Sequence, residues 1–465
     1  MDFGVAVMTP EIRSIIQEGY LERAFHDALF PQLIYRGDVM SVPWPGEVGD
    51  QQIFTGKGLI PPKGRPLAPG VDPEPVSYAL EQWEATLQNY ASTIDTHMPT
   101  SVQAIVDLLM QNASQLGLQA AQTLNRLVRD RMHNAAEAGW TVSNGANAGP
   151  ASTSLPVMRL NGFTRARRPD LTNGSRVRFN AVSASNPLRI TVNGVANTVV
   201  GYTPDTTGDE LGPGTLTLGS AITWAARTPV LSLDRSPTLF VGGGDQVDDL
   251  GTTDLPRLQD LRNVVTSLRR NNIPRHPDGD YHAHIGPVSE GALMADTEIQ
   301  RMLTGRPENY MYQDFVVGRI LNVAFVQNNE APTPLTVDPY DGVTFSQDDP
   351  FAPELTNDGT ASGMEVQRIL FSGFGGIFEY YQDPAMYLTE AGITGKMGDV
   401  QVSNNGVEVN ADRIKLIMRA PLNRLQDMVA TSWRFVGDWV CRTDAATGGS
   451  QRYKRFAVLN HGTAA

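Results

Sequence analysis

The chain has 465 residues, of which 41% are apolar and 19% charged, so it can bury a substantial core in one elaborated domain or in two to three smaller ones. It carries 37 lysines and arginines against 50 aspartates and glutamates, and the net charge of −13 argues against general nucleic-acid binding because phosphates are repelled. Its single cysteine, Cys441, excludes an intrachain disulfide framework and a cysteine-based metal cluster. The N-terminal residues lack a signal-peptide pattern, and no apolar run approaches the roughly 18 residues of a membrane span. We therefore expect a protein made in the cytosol that stays soluble until it assembles.

The first 95 residues predict an arm and then a long hairpin. Thr9-Pro10 is a helix start, and apolar residues three and four apart follow it, so residues 1–40 are predicted to form an N-terminal arm. Residues 41–76 are rich in Gly and Pro, and the alternating segment after them indicates a strand. Residues 41–95 are therefore predicted to form an extended hairpin. It has too little apolar surface to be stable alone and would be stabilised by lying on another subunit.

Residues 100–139 show the strongest helical periodicity in the chain, with apolar residues recurring at three- and four-residue steps. Ser101 is the predicted start and Gly139 the predicted end. At about 1.5 Å per residue such a helix is on the order of 55–60 Å long, which indicates an elongated body. Residues 141–164 are rich in Ser, Asn, Gly and Ala and are predicted to be a linker.

The remainder is predicted to be β-rich and then mixed. Short strands separated by turn signals over 165–240 indicate a small inserted β-sandwich or barrel. From 253 onward the pattern becomes α/β, with Asp254 as the predicted N-cap of a helix that ends before Pro274. The strand YHAHI, a further helix and a strand pair follow it. Residues 331–363 form a long Pro/Asp/Asn loop, and late strands complete an α+β chain.

The order of these elements resembles the tailed-phage major capsid protein of the Hong-Kong-97-type fold, and more narrowly the coat-protein family typified by the N-four podovirus. No single motif is specific, and the resemblance lies in an ordered set that covers about 77–140 and 255–440. Its segments are SYALEQWEATLQNYASTIDT, LQAAQTLNRLVRDRMHNAAEAG, LQDLRNVVTSLRRNNIPRHPDGDYHAHIGP, VGRILNVAFVQNNEAP and APLNRLQDMVATSWRFVGDWV. One departure is Gly286-Pro287, which stands where the family usually has His-Pro.

The resemblance implies a non-enzymatic shell protein without a cofactor. Its partners are expected to be copies of itself in pentamers and hexamers, neighbouring capsomers, decoration, scaffold and portal proteins, and packaged double-stranded DNA contacted without sequence specificity. Its location is expected to be the virion capsid, assembled in the host bacterial cytoplasm. The implied regions are the arm (1–40), the hairpin or E-loop (41–95), the peripheral domain with spine helix and linker (96–164), the inserted β domain (165–240), the axial domain (251–385) and the peripheral return strands (386–465).

Candidate contact residues between subunits are charged or aromatic side chains in the hairpin, the inserted domain and the axial turn. They are Lys57, Lys63, Arg65, Trp83, Arg165, Arg167, Arg168, His276, His282 and His284. A covalent crosslink through Lys57 or Lys63 is open, but no partner asparagine is identifiable. Two other functions also remain open, an encapsulin-like nanocompartment shell and a metal-dependent hydrolase.

The hydrolase hypothesis depends on the histidine-rich stretch NNIPRHPDGDYHAHIGP, which contains its candidate metal ligands. His276, His282 and His284 with nearby aspartates are the ligand types of a zinc site. In a strand, however, His282 and His284 share one face, and His276 lies in a Pro/Gly turn. A hydrolase also needs a general base and an open coordination position, and no His-Glu-x-x-His motif occurs. The stretch is therefore predicted to be a helix-to-strand connector, whose histidines could make contacts between subunits sensitive to pH.

Overall fold

The computed structural model describes residues 34–45, 49–57, 66–67, 70–73, 75, 80–97, 108–170, 176–244, 249–304, 318–328, 364–382, 400–403, 406–411, 413–419, 428–444 and 453–464. The predicted arm before residue 34, the helix start at Ser101 and the loop at 331–363 lie outside these residues. Within them, no helix is long and apolar enough to span a membrane.

The α+β class predicted from the sequence is confirmed by the elements. The helices are α1 (Leu108–Ala136), α2 (Leu258–Arg270), α3 (Pro287–Met294) and α4 (Thr297–Thr304), with short 3₁₀ turns at Tyr35–Asp38 and Val241–Gly243. The strands are β1 (Met40–Pro43), β2 (Gln51–Lys57), β3 (Leu80–Thr86), β4 (Gln88–His97), β5 (Trp140–Val142), β6 (Asn147–Val157), β7 (Arg165–Asp170), β8 (Arg176–Ala181), β9 (Leu188–Val192), β10 (Val195–Pro204), β11 (Gly214–Trp224), β12 (Pro229–Ser232), β13 (Thr238–Phe240), β14 (Tyr281–Ile285), β15 (Arg319–Ile320), β16 (Val323–Gln327), β17 (Met364–Ser372), β18 (Ile377–Tyr381), β19 (Val400–Ser403), β20 (Gly406–Ala411), β21 (Ile414–Arg419), β22 (Met428–Cys441) and β23 (Phe456–Ala464).

The chain forms two compact units, and the first comprises residues 1–52, 85–128 and 378–440. Its sheet has the order β1-β18-β22-β21-β20-β19, and β4 also pairs with β22. The β4–β22 ladder runs antiparallel from Met428 opposite His97 to Gly437 opposite Gln88. On α1, the buried Leu116, Ala120 and Leu124 recur at four-residue steps, as the apolar stripe of a packed helix requires.

The second unit comprises residues 53–84, 129–377 and 441–465, and one of its sheets has the order β13-β23-β17-β14-β16-β15. β14 runs parallel to β16 and antiparallel to β17, and α2 contributes the buried Leu261, Val264 and Leu268 to the same core. Strand β23, which we expected among the peripheral return strands, lies in this sheet and pairs with β17. Its run Ala457–Leu459 is fully buried, as in a central strand covered on both faces.

Six strands of the second unit form a closed β-barrel. Its strands follow the order β5-β12-β9-β10-β11-β6, and an antiparallel bridge between Ser143 and Val157 joins the last strand back to the first. The N–H of Met158 also donates to the Val142 carbonyl at 3.1 Å. The interior is apolar and includes Ile190, Leu216 and others. The sheet therefore closes where the residues after β5 meet the end of β6.

The linker predicted for 141–164 is wrong, because this stretch contains part of β5 and the whole of β6. Ser, Asn and Ala are common in linkers, but here every second residue near the end of β6, Leu155 and Val157, is fully buried in the barrel. The alternation of apolar and polar residues that indicates a strand is confined to the end of β6. The polar residues before it made the whole segment look like a linker. The inserted β domain is therefore larger at its N-terminal side than the sequence indicates.

A close backbone approach joins the end of α1 to the segment after β6. Gly139 and Gly162 have φ angles of +87° and +83°, and a Cβ on Gly162 would lie 2.2 Å from the Gly139 nitrogen. Only glycine fits both the left-handed conformation and this distance. The predicted role of Gly139 at the helix end is confirmed, since α1 ends at Ala136 and Gly139 turns the chain into β5.

The remaining sheet has the order β2-β3-β8-β7 and includes both strands of the predicted hairpin. β3 runs parallel to β8, with Leu80 opposite Arg176. In β2, Ile53 is 62% exposed.

The predicted N-cap of α2 is wrong. The helix begins at Leu258, and the Asp260 carboxylate accepts the N–H of Arg257 at 3.0 Å. Asp254 lies one turn earlier and accepts the Gly251 N–H at 2.7 Å, and Pro256 between them prevents Asp254 from capping the helix directly.

Candidate functional site

The predicted contact residues of the hairpin differ in their surroundings. Lys57 lies at the end of β2, and Lys63 and Arg65 lie outside the described residues. Trp83 is half-buried, and the guanidinium carbon of Arg442 lies 5.6 Å from its ring centroid. Gly56 also packs against this pair, and a Cβ there would lie 2.8 Å from the indole and 3.3 Å from the Arg442 guanidinium. Part of Trp83 is thus covered by its own chain.

The three arginines predicted as contacts in the inserted domain follow one another along β7. The Arg165 side chain is 47% exposed and lies 3.9 Å from the Glu210 carboxylate. Arg167 and Arg168 lie opposite Phe179 and Arg178 of β8. A role of these arginines between subunits stays a prediction.

The histidine-rich stretch forms the predicted connector between α2 and β14. The rings of His276 and His282 stack at 3.9 Å between centroids with planes 4° apart, and His282 Nε2 lies 2.9 Å from Asp278 Oδ2. Burial acts to raise the pKa of Asp278, but its hydrogen bonds to His282 and to the Asp280 N–H lower it overall. Arg319 lies 3.2 Å from Asp280 and completes a polar cluster at one end of the sheet.

This geometry does not suit a single metal ion held by the two stacked rings. A ligated ion lies near the plane of each imidazole, and two rings stacked within 4° of parallel do not direct their nitrogen lone pairs at one point between them. His276 and His284 are only 6% and 1% exposed, so each has little surface that a neighbouring subunit could contact. Their contact role, and that of His282, stays a prediction.

A buried carboxylate that the sequence analysis missed joins three elements of the second unit. Glu137 follows α1, and its Oε2 accepts a 2.7 Å hydrogen bond from Arg159, which follows β6. Its Oε1 accepts a hydrogen bond from Arg368 of β17. Arg159 also donates to Asn134 Oδ1 at 3.1 Å, and His133 Nδ1 lies 3.8 Å from the carboxylate. The helix end, the barrel and the β17 sheet therefore meet at one carboxylate.

This cluster carries two guanidinium groups for one carboxylate. Burial lowers the pKa of Arg159 to about 10 and that of Arg368 to about 9, so both remain charged at neutral pH. Burial, with the nearby charge of Arg368 next in importance, holds the pKa of His133 well below its usual value, so the imidazole is neutral. Glu137 is therefore the group that balances the buried cations, and its loss would leave both without their carboxylate partner.

A second buried carboxylate fixes the N-terminal segment within the first unit. Arg36 donates from Nε to Glu379 Oε2 at 2.7 Å and from Nη2 to Oε1 at 2.9 Å, a bidentate pair. Arg413 Nη1 and Trp439 Nε1 each donate to the same carboxylate at 3.0 Å. Burial acts to raise the pKa of Glu379, but its bonds to Arg36, Trp439 and Arg413 lower it overall.

The strand ladder reinforces this attachment. β1 runs parallel to β18 with Ser41 opposite Glu379, and the Trp44 N–H donates to the Tyr381 carbonyl at 2.7 Å. Residues 35–44 are thus held to β18 by backbone bonds and by a buried bidentate ion pair.

His461 in β23 gives the second unit a defined acid sensitivity. Its ring is fully buried and shares a 2.8 Å hydrogen bond with Ser289, and burial lowers its pKa to about 4. The unfolded chain binds the proton below about pH 6.5, whereas the folded chain does so only near pH 4. As the pH decreases from about 6.5 to about 4, we expect the free energy of unfolding to decrease by roughly 3 kcal/mol. At lower pH it should level off. Urea unfolding of His461→Gln should show a flatter pH dependence than the wild type. An unchanged slope, matching that of the exposed-site control His97→Gln, would contradict this expectation.

Three of the missed residues share a weak sequence signal, namely an ionisable residue inside a largely apolar strand. Glu379 lies in GIFEYY, Arg368 in VQRILF and His461 in AVLNHG. A charged residue in such a position is rarely buried without a partner. The signal marks each residue but does not identify its partner.

No family model and no curated protein sequence matches this chain. Among solved structures it is similar to the capsid of Ralstonia phage GP4, with 12% identity, a TM-score of 0.45 and coverage of 92% of this chain and 91% of that chain. It is also similar to the capsid of cyanophage Pam1, with 10% identity, a TM-score of 0.45 and coverage of 91% and 89%. A third is the mature capsid of bacteriophage PhiM1, with 9% identity, a TM-score of 0.42 and coverage of 91% and 86%.

Proposed function

We propose that this chain is the major capsid protein of a tailed bacteriophage, a structural subunit that assembles into the shell around double-stranded DNA. The observation that carries the proposal is the order of elements along the chain. Hairpin strands β2 and β3 precede the long helix α1, an α/β sheet with parallel β14 and β16 follows, and β22 returns to pair with β4. This order is the one on which the sequence resemblance rests.

The hairpin supports assembly through contacts with neighbouring copies. Ile53 and Val71 are 62% and 58% exposed in a region with few apolar residues. Burial of these side chains against a neighbouring copy would remove apolar surface from water and so favour assembly. Many copies that each bury a modest interface form a stable closed shell through multivalency. Portal, scaffold and decoration proteins and host cytoplasmic assembly belong to the same proposal.

Negative-stain microscopy and sedimentation of the purified full chain test this function. We expect closed particles in equilibrium with small species, and particles recovered from infected cells should contain DNA. Only small soluble species across all protein concentrations and salts would overturn the proposal.

A substitution on the hairpin tests the contact itself. Ile53→Asp removes an exposed apolar side chain, so we expect the protein concentration needed for assembly to rise at least about tenfold while the melting temperature is unchanged. Thr55→Asp, exposed on the same strand, adds the same charge without removing apolar surface and is the matched control. Equal assembly of both variants and the wild type would exclude Ile53 from the contact.

A further inference from the structure

The outer side of α2 presents a cationic surface to which none of the contacts described above assigns a role. Arg262, Arg269 and Arg270 are all exposed there, and we refer to these three as the arginine face. The opposite side of the helix, with Leu261, Val264 and other apolar residues, is buried in the core. At about 1.5 Å per residue, Arg262 and Arg269 lie roughly 10 Å apart along the helix axis.

The arginine face is a local reversal of the chain's charge. Residues 257–275 contain five arginines and one aspartate, in a chain whose net charge is −13. That aspartate, Asp260, is half-buried and accepts the N–H of Arg257 on the first turn. In the part of the chain that the structure describes, no ion pair includes a residue of the arginine face.

Helix stability accounts for only part of this arrangement. Arg269 and Arg270 lie in the last turn, where a cation interacts favourably with the helix dipole. Arg262 lies near the middle of the helix, where that effect has faded. Three cations along one side also repel each other, so the face gains from an anionic partner.

The other exposed residues on this side indicate which kind of partner fits. They are Gln259, Asn263 and Thr266, so the exposed side of the helix carries polar and cationic side chains and no large apolar one. A protein interface usually has an apolar core inside its polar rim. Phosphate contacts, in contrast, are made by arginine together with Asn, Gln and Thr and do not need apolar surface.

We infer that the arginine face binds the phosphate backbone of double-stranded DNA without reading its sequence. This inference rests on the proposed function only for the source of the DNA. Three arginines per subunit give weak, salt-sensitive binding, and the surrounding negative charge keeps it weak. Repeated over many copies, such contacts would hold DNA near the protein while leaving it free to move.

Fluorescence anisotropy tests this with a labelled 30-base-pair duplex and the unassembled full chain, titrated at several salt concentrations. The triple variant Arg262→Gln, Arg269→Gln, Arg270→Gln should bind about tenfold or more weakly at low salt. Its slope of log affinity against log salt should be smaller in magnitude by about 2–3, because each lost phosphate contact removes about 0.9. The corresponding triple lysine variant should retain binding, since a lysine also serves a phosphate.

The matched control changes the same net charge at three exposed arginines elsewhere in the second unit, Arg189→Gln, Arg301→Gln and Arg319→Gln. It should keep the wild-type salt slope. Equal slopes for the arginine-face variant and the wild type would overturn the inference, as would loss of particle formation in that variant with DNA binding intact, which would assign the face to a second copy. Because the duplex assay uses unassembled chains, its result is independent of whether particles form.

Discussion

Replacing Glu137 by glutamine is expected to lower the free energy of unfolding of the second unit by roughly 3–5 kcal/mol, the usual cost of removing one partner from a buried ion pair. Arg159 and Arg368 both donate to this carboxylate, and they are 5% exposed each. A glutamine amide supplies no charge and one carbonyl oxygen, so two buried cations lose their balancing anion. Thermal unfolding of the full chain, with hydrogen exchange of β17 and β6, measures the loss.

The control for this variant is Glu298→Gln, which makes the same chemical change at an exposed position on α4. A double variant sharpens the test. Adding Arg368→Met to Glu137→Gln should cost less than the sum of the two single changes, because it removes one of the stranded cations. Additive costs, or a Glu137→Gln variant that unfolds like Glu298→Gln, would show that the carboxylate does not balance these arginines.

Replacing Glu379 by glutamine is expected to cost the first unit a similar amount, roughly 3–5 kcal/mol, and to release the N-terminal segment. Glu379 is fully buried and accepts hydrogen bonds from Arg36, Arg413 and Trp439. With the bidentate pair weakened, β1 is held mainly by its ladder with β18. Hydrogen exchange of Ser41 and Val42, and limited proteolysis around them, should accelerate more than exchange in β22.

The contribution of Glu379 to the stability of the first unit should be lost in acid. Because the folded state lowers the pKa of Glu379, its contribution to stability is present above the pKa of an unfolded glutamate, about 4.3, and is lost as the pH falls through the folded value. The wild type should therefore lose its advantage over Glu379→Gln in acid. Asp95→Asn, at an exposed position of β4, controls for the loss of a carboxylate. Equal exchange rates in β1 for both variants would contradict the proposed attachment.

The sequence predicts local elements well where a periodic pattern is strong. The stripe of α1, the β14 strand and the strand pair of β15 and β16 each follow from residues close together in the chain. In that pair, Leu321 and Asn322 both have positive φ and reverse the chain between β15 and β16. The linker prediction failed because polar composition outweighed two buried residues in β6.

The buried carboxylates could not be predicted because their partners are remote in sequence. Arg36 and Glu379 are separated by 343 residues, and Glu137 and Arg368 by 231. A charged residue in an apolar strand indicates that it has a partner in the folded protein. Which residue that partner is depends on the tertiary fold. The histidine stretch shows the opposite case, since its spacing looks like a ligand set whereas packing makes two of the rings a stacked pair.

The closed barrel has a consequence for how this protein can change over evolution. The chain enters at Trp140 and leaves at Leu231, which lie opposite each other in the β5–β12 ladder, and the Ser232 N–H donates to the Gly139 carbonyl at 2.9 Å. Because the entry and exit points are adjacent, a short turn could replace the barrel segment, residues 140–231, at the cost of β7 and β8 and their sheet with β3. Its removal would also take away Arg159, leaving Glu137 and Arg368 as a one-to-one pair. The second cation bound to Glu137 thus comes from the barrel segment. A protein that lost this segment would need no further substitution to balance the charge of Glu137.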